Sequence, residues 1–138
     1  MFTMQYMDLP PKLVEGMQEE LNSKAHYKSL LELAEDKEDR DIITAIIKDE
    51  TRHYNSISKL YHKVMGSSPV ALAPHAPYFD SYIAGIKKAI LDETKAYEFY
   101  RDAYLSSTSQ EVRNMFFQAF TDENEHAIRL NFLYIKNK

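Results

Sequence analysis

Apolar residues recur along this chain at three- and four-residue intervals, the spacing that lines one face of an α-helix. The clearest stripe is Ile43, Ile46, Ile57, Leu60 and Val64, with Glu50 and His53 set into it. The last stretch repeats the arrangement with Val112, Phe116, Ala119, Leu130 and Leu133 around Glu123 and His126. Two further stripes advance by seven residues, one through Leu13, Glu20, Tyr27 and Ala34, the other through Ile86, Glu93 and Tyr100. Such seams suit helices packed in a bundle, yet an acidic residue interrupts each of the four.

Turn residues divide the stripes. Pro10 and Pro11 fit the first turn of a helix, where a missing N–H costs nothing, so the first helix is expected over about 10–35. Asp36 caps a second helix that ends at Gly66, and the tight turn at Asp36 makes these two helices antiparallel neighbours. Residues 67–79, with Pro69, Pro74 and Pro77, form the main linker. In extended polyproline form they reach roughly 40 Å, about the length of a helix. A third helix is expected from about Asp80 to Leu105, and Thr108 with Glu111 makes a capping box for a fourth that lasts nearly to the C-terminus.

Composition agrees with an all-α chain. Among 138 residues there are three Gly and no Trp, and the helix formers Glu, Lys, Leu, Ala and Ile are abundant. The length suits one domain spanning 1–138. A net charge of −4, without a concentrated basic run, argues against nucleic-acid binding. With no cysteine, disulfides and thiolate metal centres are excluded, so any metal must use oxygen and nitrogen ligands. The N-terminus lacks the features of a secretion signal, and no segment has the roughly 20 apolar residues of a membrane span. A cytoplasmic protein is expected.

The acidic interruptions form a repeat. Glu20 to Glu50 is 30 residues, as is Glu93 to Glu123, and His53 and His126 each follow the second Glu by three. The halves are offset by 73, an offset that Tyr27 and Tyr100 also obey. Four carboxylates directed into an apolar core would each cost several kcal/mol if charged and unpaired. Only Lys24 lies near them on the seams. Two divalent cations would balance four glutamates with both histidines neutral. The expected metal ligands are therefore Glu20, Glu50, His53, Glu93, Glu123 and His126, the arrangement known for metal sites in helical bundles.

These residues, and in particular the paired Glu50-x-x-His53 and Glu123-x-x-His126, resemble the ferritin-like di-iron carboxylate superfamily over nearly the whole chain, most nearly its rubrerythrin and bacterioferritin branches. The resemblance implies a four-helix bundle with a long crossover between helices two and three, which the Pro-rich linker is long enough to supply. It implies that Glu50 and Glu123 bridge two metals, that Glu20 and His53 complete one ligand set, and that Glu93 and His126 complete the other. It further implies that Asp49 orients His126 and Asp122 orients His53. Two irons are the implied cofactors; mixed carboxylate and imidazole ligation also suits manganese. Tyr27 and Tyr100 are candidates for hydrogen bonding to ligands or supplying an electron, and are equally well read as core tyrosines.

Departures from the superfamily pattern shape the functional expectation. Ala96 stands where rubrerythrins carry an additional Glu, Thr51 stands where bacterioferritins carry a haem-binding Met, and neither a rubredoxin domain nor a fifth helix is expected. Haem is not expected. The leading expectation is an oxidoreductase that reacts Fe(II) with O2 or H2O2, supplied by an external electron donor and acting as a homodimer. The alternatives are a non-catalytic iron-binding, storage or carrier protein, and a structural module with a bound metal. His26, His62 and His75 fall off the seams and are expected in solvent, and the Met- and aromatic-rich N-terminus is expected to cover a bundle end or a neighbouring subunit, or to be disordered.

Overall fold

The structure, a computed structural model, describes residues 2–138, with side chains from residue 9 onward. Four helices follow one another as α1 (Phe2–Leu33), α2 (Lys37–Met65), α3 (Tyr82–Ser106) and α4 (Gln110–Asn137). The expectation for the N-terminal Met and aromatic side chains lies outside the described residues.

Pro10 and Pro11 lie inside α1 rather than at its start. Their fixed φ is compatible with a helix, although each removes one backbone hydrogen bond. Tertiary packing favours continuation, because Leu9 belongs to the same buried cluster as Leu13 and Met17. At α2 the sequence expectation holds at both ends: the Asp36 side chain accepts from Asp39 N–H, and Gly66 closes the helix in the left-handed conformation at φ 73°. The third helix begins slightly later than expected, capped by Ser81. The fourth is capped by Ser109, not Thr108, its hydroxyl accepting from Val112 N–H. Both residues are competent caps, and sequence alone does not distinguish neighbours of that kind.

Two buried clusters fill the bundle. One joins Leu13 and Met17 of α1, Ile57 of α2, Tyr100 of α3 and Phe116 of α4. The other joins Leu30, Ile43, Ile46, Ile86, Leu130 and Leu133. Passing along α2 from Ile43 to Ile57, or along α3 from Ile86 to Tyr100, leads from the second cluster to the first, so these helices are parallel. The crossover 66–81 therefore returns along the bundle, and its middle is tied to α1: Gln18 donates to the Ala73 carbonyl at 2.8 Å, and His75 N–H donates to Asn22 Oδ1 at 2.8 Å. Val64, expected on the α2 seam, is exposed, because the seam has reached the bundle end.

At the opposite end Lys136 of α4 contacts Asp36, Glu38 and Asp39 around the start of α2. Asp39 is buried and also accepts from Tyr82 and Asn137. Among the described residues, no helix is long and apolar enough to cross a membrane.

Candidate metal centre

Between the two apolar clusters lies a polar layer to which every helix contributes. Glu20, Glu50, His53, Glu93, Glu123 and His126 are each at most 4% exposed. Their ligand atoms fall into two groups, Glu20, Glu50, His53 and Glu123 in one, and Glu50, Glu93, Glu123 and His126 in the other, with the atoms of each group within 4.8 Å of one another. Glu50 and Glu123 are shared. One Glu50 oxygen, Oε1, lies 3.5 Å from His53 Nδ1 and 3.4 Å from His126 Nδ1. The corresponding distances from Glu123 Oε1 are 3.3 and 3.4 Å. Glu20 Oε1 approaches only His53, at 3.5 Å, and Glu93 Oε2 only His126, at 3.5 Å.

One atom of each of these six residues is buried without a hydrogen-bond partner: Glu20 Oε2, Glu50 Oε1, His53 Nδ1, Glu93 Oε2, Glu123 Oε1 and His126 Nδ1. Such orphaned atoms are unusual in a folded core and require a reason. The 3.3–3.5 Å between the carboxylate oxygens and the imidazole nitrogens is long for hydrogen bonds, yet it matches the roughly 3.0–3.6 Å expected between neighbouring ligands of an ion with bonds of about 2.0–2.2 Å. The donor set thus fits two cations.

The other polar atom of five of these side chains is held from outside. Tyr100 OH donates to Glu20 Oε1 at 2.7 Å, and Tyr27 OH to Glu93 Oε1 at 2.6 Å. Ser23 Oγ donates to Glu50 Oε2 at 2.6 Å. His53 Nε2 lies 2.7 Å from Asp122 Oδ2, and His126 Nε2 lies 2.8 Å from Asp49 Oδ2, which assigns the ring N–H to Nε2 and leaves Nδ1 as a lone pair when each ring is neutral. These pairings, with 49 opposite 126 and 53 opposite 122, show α2 and α4 to be antiparallel. Arg52 lies across both pairs, 2.9 Å from Asp49 and 3.2 Å from Asp122.

Electrostatics express the same deficit of positive charge. Burial, reinforced by the charge of Glu50, pushes the Glu20 carboxyl up to about 8, and burial also raises Glu93 and Glu123. Glu50 moves the other way: burial is outweighed by the nearby imidazole of His53 and by the charge of His126. Burial opposes charge on both imidazoles, but the carboxylates around them prevail, raising His53 strongly through Asp122 and Glu123, and His126 to about 12 through Glu123 and Glu93. Without cations the layer retains protons in their place.

Sequence reasoning did not find Ser23, Arg52 or the environment of His26. Ser23 lies one helical turn after Glu20, but the matching position in the second half is Ala96, so the repeat gives no signal. His26, expected in solvent, is buried against Phe79 with Nε2 2.9 Å from the Gly85 carbonyl. It lies off the seam toward the core axis, on a side of α1 that α3 and Phe79 cover. His62 and His75 are exposed, as expected.

No family model matches the chain. Its fold is similar to a two-domain protein of Anabaena variabilis with DJ-1/ThiJ/PfpI-like and ferritin-like domains (TM-score 0.80, 18% identity, 96% of this chain and 37% of that one). It is similar also to a hypothetical protein of Pyrococcus furiosus (TM-score 0.80, 22% identity, 91% of this chain and 87% of that one). A third similar structure is a bacterioferritin-related protein of Bacteroides fragilis, described as a dodecameric thioferritin (TM-score 0.82, 15% identity, 96% and 86%). The chain spans little more than a third of the Anabaena protein's length. The fold is thus a ferritin-like four-helix bundle, and its buried carboxylate and histidine groups could hold metal ions. Within that class the chain is 30% identical over 123 residues to the uncharacterized protein YhjR of Bacillus subtilis (86% of this chain, 83% of YhjR), and it belongs to the YhjR family.

Proposed function

We propose that this protein is a di-iron oxidoreductase that reacts Fe(II) with O2 or H2O2. The observation that carries this reading is the set of six buried, partnerless ligand atoms arranged as two groups sharing Glu50 and Glu123. In this reading Glu50 and Glu123 bridge, Glu20 and His53 complete one ligand set, and Glu93 and His126 complete the other. Two bound irons would supply one electron each to the oxidant; manganese is the alternative occupant.

The protein's own residues prepare and protect that chemistry. Asp49 and Asp122 hold His126 and His53 with their Nδ1 lone pairs inward, and Arg52 contacts both aspartates from outside. Tyr27 and Tyr100 each tie one oxygen of a terminal glutamate, leaving the other for a ligand bond. Their phenols are raised well above the usual tyrosine range, first by burial and then by Glu93 and Glu20 respectively, so they remain donors at neutral pH. The apolar clusters above and below exclude bulk water.

A second reading, iron storage or carriage with redox chemistry only at loading, is favoured by the dodecameric assembly named for the Bacteroides relative. We propose a cytoplasmic homodimer with an external electron donor for the enzyme. Anaerobic Fe(II) loading, followed by repeated additions of H2O2 or O2 with a reductant present, separates the two. Sustained turnover on a dimer by native mass supports the enzyme; oxidation that stops after the first equivalents in a large assembly supports storage. Protein that takes up fewer than two metals per chain would contradict both.

A further inference from the structure

Beside the polar layer, between α1 and α3, a cavity of about 160 Å³ connects the centre with the protein surface. Its buried lining includes Glu20, Glu50, Glu93 and Glu123, and its exposed lining includes Glu19, Asp92 and His75. His26 also lines it. This histidine is 4% exposed, and its Nε2 is engaged by the Gly85 carbonyl at 2.9 Å, which places the proton on Nε2. Nδ1 is then a lone pair, buried and without any partner. With Nε2 turned to the backbone of α3, Nδ1 is the ring nitrogen left for the cavity.

A histidine that donates one ring N–H to a backbone carbonyl and keeps the other nitrogen bare has the outer support typical of a metal ligand. Packing does not require the nitrogen: the matching position of the second half, 73 residues on, is Phe99, which packs at the first apolar cluster. Leaving Nδ1 unpaired instead carries the desolvation cost of a buried polar atom with no hydrogen bond in return. Burial also lowers the affinity of His26 for a proton, so the lone pair is present at neutral pH. The two carboxylates at the surface, Glu19 and Asp92, stand at matching positions of the two halves and flank the opening.

We propose that this cavity is the port through which divalent cations reach the centre, with Glu19, Asp92 and then His26 Nδ1 as passing ligands. The proposal rests on the two-metal reading of the centre. Among the described residues only the two groups of the centre gather ligand atoms within 4.8 Å, so the port lacks a closed cage that would retain a cation. Lys88 is ion-paired with Asp92, and an arriving cation displaces that ammonium group without leaving a bare carboxylate behind.

The test is Co2+ uptake by the metal-free full chain, followed by stopped-flow absorption, with release measured by chelator competition. His26→Phe, which installs the residue type of the other half, and Glu19→Gln, an exposed change that leaves the core intact, are compared with wild type. The port requires association and dissociation to slow together, by about tenfold for His26→Phe. Affinity and the two-per-chain stoichiometry stay unchanged. Wild-type rates in both variants would overturn the proposal. Weaker equilibrium binding with faster release would also overturn it, by making His26 a resident ligand. Wild-type protein that takes up no Co2+ would refute the two-metal reading itself, and the port with it.

Discussion

Glu20, Glu50 and Glu93 are each divided between two tasks, with one oxygen fixed by a hydroxyl and the other left bare. Glu50 shows this most clearly, its Oε2 held by Ser23 while Oε1 lies between the two imidazoles. Removing a shared carboxylate should therefore damage both metal positions, whereas weakening an outer support should not. Glu50→Ala or Glu123→Ala is expected to lower stoichiometry from two metals per chain to one or none. Asp122→Asn is expected to retain two, with affinity reduced about 10–100-fold. Metal analysis and competition titration on purified variants check both, and two tightly held metals in Glu50→Ala would show the bridging assignment to be wrong. The six candidate ligands were legible as a buried cluster because six polar residues at a fixed offset stand in apolar seams. Ser23 and His26 were not, since each breaks the repeat and acts through contacts between α1 and its neighbours.

At the scale of helices, the join between α1 and α3 is narrow. A methyl group added at Gly85 would lie 2.6 Å from Leu30 and 2.8 Å from the Phe79 ring. Phe79 is partly exposed and can move, but Leu30 is fully buried, so Gly85→Ala is expected to destabilise by about 1–3 kcal/mol. Denaturant unfolding checks this, and a variant as stable as wild type would show that the join can widen freely. The tightness is invisible in sequence, where Gly85 is an isolated glycine near a helix start. Helix ends were better marked: Asp36 and Gly66 act where expected because few residues fit a cap or a left-handed φ. Pro10 and Pro11 misled because their local preference for a helix start is overridden by the packing of Leu9.

For the whole molecule, the centre sets how stability depends on pH. In the metal-free state Glu20 keeps its proton up to about 8, against 4.5 when unfolded, and His126 keeps its proton up to about 12, against 6.5. Between those limits the folded chain binds more protons than the unfolded chain, so its stability falls as pH rises. Thermal melts of chelated protein are expected to shift downward from pH 5 to pH 8. Glu20→Gln is expected to flatten that slope, and a slope unchanged by this substitution would remove Glu20 as a contributor. Divalent metal should reverse the trend, because rising pH frees the ligands and metal binding stabilises the folded chain. The arrangement of the four helices was what the resemblance carried by the two Glu-x-x-His motifs implied, and the Pro-rich linker is long enough to return along the bundle.

Arg52 gives the molecule a property that the repeat alone would not. The residue 73 positions on is Glu125, so the guanidinium has no twin, and it reaches the aspartates behind both imidazoles. A change at this single position alters the electron-donating strength of both histidines in the same direction. The two halves, duplicated in their candidate ligands, thus share one control at Arg52, outside the aspartate that each imidazole has to itself.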